Sequence, residues 1–294
     1  LRIAGGVNQL NELKLGTILG PGTLRAPTDA TLFGDGLIQA PIDFDGEAEL
    51  FAVGGILQIS GLILDVGTLG VVGSDSTLQV LNPWNTSVTE LVELRGGKLT
   101  GDFIINDGPN GIVGHGLIDT SILNNTKIAA QNGTLVLDHL DNNWDGAVGA
   151  GQLFALSGNL HMIGQADGNG FSGGLSVGSG HEAFIEGFDF EFAAGSTVTL
   201  VEGGTIRSDV HQTFAGTLNV FQLPGHIRAD ASFITGSTST LSADLRLHGD
   251  TVIQQGAPFT GTGDLYSQST GVLTMKDGSA VDVNLFVLGD LIVE

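Results

Sequence analysis

The chain has 294 residues, with 32 acidic against 10 basic side chains, a formal charge of −22, 47 glycines and no cysteine. So few cations cannot neutralise a run of phosphates, which excludes nucleic-acid binding and a polybasic membrane contact. The missing thiols exclude a disulfide scaffold, a zinc ribbon, an iron–sulfur centre and a thiol nucleophile, and a hydrophobic fraction of 41% excludes a disordered acidic tail.

The N-terminal Leu1-Arg2-Ile3-Ala4 reads as an apolar strand ahead of Gly5-Gly6. With no initiator Met and no leader segment, and with Leu291-Ile292-Val293 closing the chain as another strand, both ends read as cut from a longer polypeptide. A glycine, Thr and aliphatic unit then recurs, at Gly16-Thr17-Ile18, Gly22-Thr23-Leu24, Gly67-Thr68-Leu69, Gly133-Thr134-Leu135, Gly204-Thr205-Ile206 and Gly216-Thr217-Leu218. A second phrase, Gly-x-Gly with an aliphatic residue two positions on, stands at 20–24, 34–38, 114–118 and 261–265. Carboxylates alternate along Asp43-Phe44-Asp45-Gly46-Glu47. The apolar stretch 53–73 is broken by Asp65 and six glycines, so it predicts successive short strands and no membrane span. Trp84 lies in Asn82-Pro83-Trp84-Asn85 and Trp144 in Asn142-Asn143-Trp144-Asp145, both turn-like. Alternation predicts Leu135 and Leu137 inward with Val136 outward, and single strands over 197–202, 241–248 and 281–287. Between them, Asn132-Gly133, Asp145-Gly146, Asp167-Gly168, Asp277-Gly278 and glycine pairs such as Gly54-Gly55 and Gly173-Gly174 predict turns with positive φ.

No stretch of twelve residues has helical periodicity. Short strands, glycine turns and a loose repeat predict an all-β chain: a right-handed parallel β-solenoid (β-helix) over 1–294, in irregular coils of about 20–25 residues. That gives about 12–14 coils and a rod of roughly 60–70 Å. A β-sandwich is the alternative with the same composition. Fifteen phenylalanines against one tyrosine predict aromatic stacks inside the coils.

One stretch carries a family resemblance. Ile112-Val113-Gly114-His115-Gly116-Leu117-Ile118 is followed by Asn124-Asn125, Ile128-Ala129-Ala130 and Asn132-Gly133-Thr134-Leu135-Val136-Leu137. This order resembles the glycine-rich repeats of bacterial surface-exported β-helix proteins, the autotransporter passengers and filamentous-haemagglutinin-like solenoids. The resemblance implies an extracellular structural protein of the bacterial cell surface: a fibre or filament subunit, a stalk or an adhesin shaft. It departs from the autotransporter pattern in lacking a C-terminal membrane barrel.

Gly114-His115-Gly116 also invites comparison with pectin-hydrolysing β-helices. That chemistry needs paired carboxylates upstream, and 91–98 holds only Glu93. The slot of His115 is filled by Pro21, Asp35 and Thr262 in the sister phrases, so it reads as a variable repeat position and the chain as no enzyme. A carbohydrate-active β-helix and a ligand-binding adhesin are the rival functions. The seven histidines show no metal-ligand spacing. Asp43, Asp45 and Glu47 are the calcium candidates, with Asp141–Gly146 a second oxygen-rich loop; no other cofactor is expected. Trp84 and Trp144 are the candidate surface contacts. The partners expected are a second copy joined end to end, or continuation of the same polypeptide, and a cell-surface or glycan ligand.

Overall fold

The computed structural model describes residues 10–139, 143–146, 150–163, 170–268 and 270–294. The strand of 1–4 and the Asp167-Gly168 turn lie outside them.

Alternating apolar residues in strands too short to bury themselves must find cover on a neighbour. Here each coil covers the last. Leu32 lies beside Leu50, Leu50 beside Leu69, and the same inward position continues through Val92, Ile112, Ile128, Leu153, Leu175, Val198 and Leu218. Along this inward position the step ranges from 16 residues (112 to 128) to 25 (128 to 153). The described pairings between named strands are all parallel, and about 13 turns stack into a β-solenoid. A sandwich is thereby excluded.

Each coil has three faces, separate in the C-terminal half. The first holds Gly174–Val177, Thr197–Val201, Thr217–Phe221 and Thr238–Leu241. The second holds Glu182–Glu186, Thr205–Ser208, Gly225–Arg228, Leu245–Leu247 and Leu265–Ser267. The third holds Phe190–Phe192, Gln212–Phe214, Ala231–Phe233 and Thr251–Ile253. In the N-terminal half the first two faces run together as long bent strands, such as Thr31–Ile38, Ile112–Asp119 and Lys127–Asp138. The Gly-x-Gly phrase makes that bend. Gly114 has φ +123°, and a Cβ there would lie 1.9 Å from the Leu94 carbonyl oxygen. Gly34, at φ +134°, would place one 1.7 Å from that of Leu13. Only a residue without a side chain lets the coils close to hydrogen-bonding distance at this corner.

Leu135 and Leu137 are buried and Val136 is partly exposed, as alternation predicts. Phe192, Phe214 and Phe233 form an interior aromatic stack on the third face, with centroids 4.8 and 4.9 Å apart, one ring per coil. Several expectations need correction. Residues 241–248 are the end of one strand, a corner at 242–244 and the start of another; 281–287 likewise divide into Val281–Asp282 and Leu285–Val287. Inward and outward parity runs through such corners, so alternation alone hides them. At Asn132-Gly133 the expected positive φ is present, carried by Asn132 at +60°. Gly173 and Gly174 have no positive φ, and serve close approach to Gly151 and Gln152. The stretch 53–73 holds the end of Glu49–Ile59 and all of Ile63–Val72, and among the described residues no helix is long and apolar enough to cross a membrane.

Candidate functional site

Asp43 sits on the outer side of the third face, half-buried, in an ion pair of 2.7 Å with Arg25 one coil before. On the other side it neighbours Asp65, whose carboxyl pKa is raised by burial first and then by the charges of Asp43 and Asp45. Asp45 and Glu47 occupy the exposed turn that follows. Among the described residues no group of three or more such side chains is arranged to hold a metal ion. The three calcium candidates therefore do not converge. Of the second loop, 143–146 is described, and there Asp145 is 7% exposed, its Oδ2 accepting from the Ser172 N–H at 2.7 Å and hydroxyl at 2.5 Å. That carboxylate ties one coil to the next.

Trp84 and Trp144 are corrections. They are 8% and 2% exposed, so neither ring is offered to a surface ligand. Trp84 is the strand partner of Ile104 at an inward position, and Trp144 packs against Phe188 and Phe190 with centroids 6.0 and 6.2 Å away. Asn85 and Asn143 look like turn residues in sequence, but Asn85 belongs to the short strand with Trp84 and Asn143 is bridged to Leu123, which puts both on the third face. His115, half-buried at the glycine corner, is the strand partner of Arg95 on the preceding coil.

The structure brings together two groups that sequence spacing did not reveal. The first is internal. Asn106 is fully buried; its Nδ2 donates to Asn124 Oδ1 (2.7 Å) and to the Lys127 carbonyl (2.9 Å), while its Oδ1 accepts from the Thr86 hydroxyl (3.0 Å). Asn124 passes the chain on, donating to the Trp144 carbonyl at 2.9 Å. A polar ladder thus runs up the inside of the third face, each buried group satisfied by a neighbour.

The second is on the outside of the second face. His226 lies beside Arg246, Arg207 beside Arg228, and Arg246 beside Tyr266. His226 Nδ1 and His248 Nε2 are 3.0 Å apart. Arg207 covers the Phe184 ring at 3.5 Å and donates to Glu182 at 2.8 Å; Arg246 lies over Tyr266 at 5.7 Å. A groove of about 490 Å³ opens beside Arg228 and His248, with Ser208, Asp209, Asp230 and Gly249 among its lining. Burial, then the charges of His248, Arg228 and Arg246, lowers the His226 pKa to about 4. Burial with Arg228 and Arg246 lowers that of His248. Both imidazoles are therefore neutral at pH 7, in a locally positive field on a chain of −22. His226 and His248 are 22 residues apart, one coil; a search of the histidines at the coil period, instead of at short motif spacing, would have paired them.

No family model, curated protein or solved structure matches the chain.

Proposed function

We propose that the chain is an extracellular structural element of a bacterial surface: the shaft of a fibre, stalk or adhesin. The observation that carries this reading is the unbroken stack, in which one inward position is filled by an aliphatic side chain from Leu32 to Leu218. At about 4.8 Å a coil, about 13 turns make a rod of roughly 60 Å whose stiffness comes from backbone hydrogen bonds and a continuous core. The acidic exterior keeps such rods from clumping sideways. In this reading the coils stack end to end with the next part of the polypeptide or with another copy. The extracellular, bacterial setting rests on the resemblance of 112–137. Imaging of the full chain, with incubation against acidic and neutral polysaccharides, tests the reading. Rods without turnover are expected; reproducible cleavage of any of those polymers overturns it.

A further inference from the structure

Lysines and arginines are scarce here, and five of those described pair with a carboxylate. Arg228 and Arg246 are in no ion pair with a described carboxylate, yet they sit on consecutive coils with the two imidazoles between them. Arg246 Nε is buried without an acceptor. Counting Arg207, arginines recur on three successive coils of one face: Arg228 is the strand partner of Arg207, and Arg246 on the next coil stands opposite His226, two residues along from Arg228.

The carboxylates bordering this block each accept a hydrogen bond from a group other than Arg228 or Arg246. Asp209 accepts from the Gly187 N–H (2.9 Å), Asp230 from that of Asp250 (2.8 Å) and Asp244 from that of Asp264 (3.1 Å). Asp264 accepts from Asn284 (2.9 Å), and Glu182 pairs with Arg207. These acids brace the corners of the coils. Each of these aspartate hydrogen bonds uses Oδ1, and Asp209 and Asp230 share the groove with Arg228; the donors of Arg228 and Arg246 form a strip continued along the axis by the stacked rings of Tyr266 and Phe286, the latter 43% exposed.

We propose that this strip binds an acidic polysaccharide, its carboxylate or sulfate groups held by Arg228 and Arg246 and its chain lying along the solenoid axis. A guanidinium presents the planar donor pair that such anions accept. A polysaccharide with one charge per sugar spaces its anions on the scale of the coil repeat, and the rings at 266 and 286 offer apolar surface to sugar C–H groups. A nucleic acid fits less well, because its dense phosphates would meet three guanidiniums and then a strongly acidic rod. A second copy brings the same net negative charge.

Calorimetric titration of the full chain with a galacturonate hexamer, with dextran sulfate and with neutral dextran tests the proposal. Both acidic probes are expected to bind, less tightly as salt is raised, and dextran is not. Arg228→Gln and Arg246→Gln should each weaken binding by about tenfold. Arg25→Gln, on the third face, should leave it unchanged. Arg228 is exposed and its side chain bonds to no described group, so its variant should keep the parent melting temperature and remain informative if Arg246→Gln disturbs the fold. The proposal fails if neither acidic probe binds, if dextran binds as well, or if Arg228→Gln binds undiminished. It also fails if Arg228→Gln abolishes concentration-dependent self-association, which would make the strip a contact between copies.

Discussion

Replacing Asn106 with Ala removes the middle rung of the internal polar ladder. Three hydrogen bonds disappear, those with Asn124, Lys127 and Thr86. The cavity is small and polar. The larger loss is that the Thr86 hydroxyl is left without its acceptor and Asn124 Oδ1 without its donor. Each such orphaned buried group costs about 1–3 kcal/mol. The Lys127 carbonyl keeps a second lone pair for other partners, so its share is at the low end. The sum is about 3–5 kcal/mol, well above the 0.5 kcal/mol or so typical of a surface change. In a stack where each coil touches only its neighbours, the damage should be local. Hydrogen exchange should therefore speed up over 84–128 while amides of 217–253 keep their protection, and the first denaturant transition should move to lower concentration. Asn106→Asp sharpens the test, because a carboxylate would aim a second acceptor at Asn124 Oδ1 and at the Lys127 carbonyl. It should destabilise more than Ala at pH 7 and recover as acid protonates it. An Ala variant within 1 kcal/mol of the parent, with unchanged exchange over 84–128, would refute the ladder as a source of stability.

Gly114→Ala must place a Cβ against the Leu94 carbonyl at a positive φ, so backbone strain and overpacking together should cost about 2–6 kcal/mol, read as an early-melting segment around 94–135. Phe214→Ala empties the middle of the interior stack with Phe192 and Phe233 and should cost about 3–5 kcal/mol by denaturant titration. On acidification, the depressed pKa values of His226 and His248 make the unfolded chain the better proton acceptor. Their contribution is present in full above the ordinary value of 6.5 and is lost as pH falls toward about 4, so a His226→Gln variant should lose less stability than the parent between pH 7 and 4 when melting is followed across that range.

Alternation and glycine carried most of the architecture. Leu135, Val136 and Leu137 could be placed from sequence because a strand in a solenoid has one wet side and one dry side, whichever coil it belongs to. Corners were less legible: parity persists through 242–244, and no proline or obligatory turn residue marks that break. The tryptophans misled because Asn beside Trp signals a loop by composition, whereas in a parallel stack buried asparagines can satisfy one another from coil to coil, as Asn106 and Asn124 do. The strip at Arg228 and Arg246 was invisible for a related reason. Its members are about a coil apart, and irregular coil lengths blur any fixed period that would bring them into line.

The short step between partners bears on how such a chain is built. With no described pairing between strands reaching beyond 26 residues, a coil needs only the one before it as a template. Folding of this kind can begin as soon as two coils exist and advance like a zipper, without waiting for the distant end. A chain delivered one end first, from a ribosome or through a narrow pore, could be wound up as it emerges. Each completed turn would then oppose its slipping back, a ratchet driven by burial alone and requiring no nucleotide.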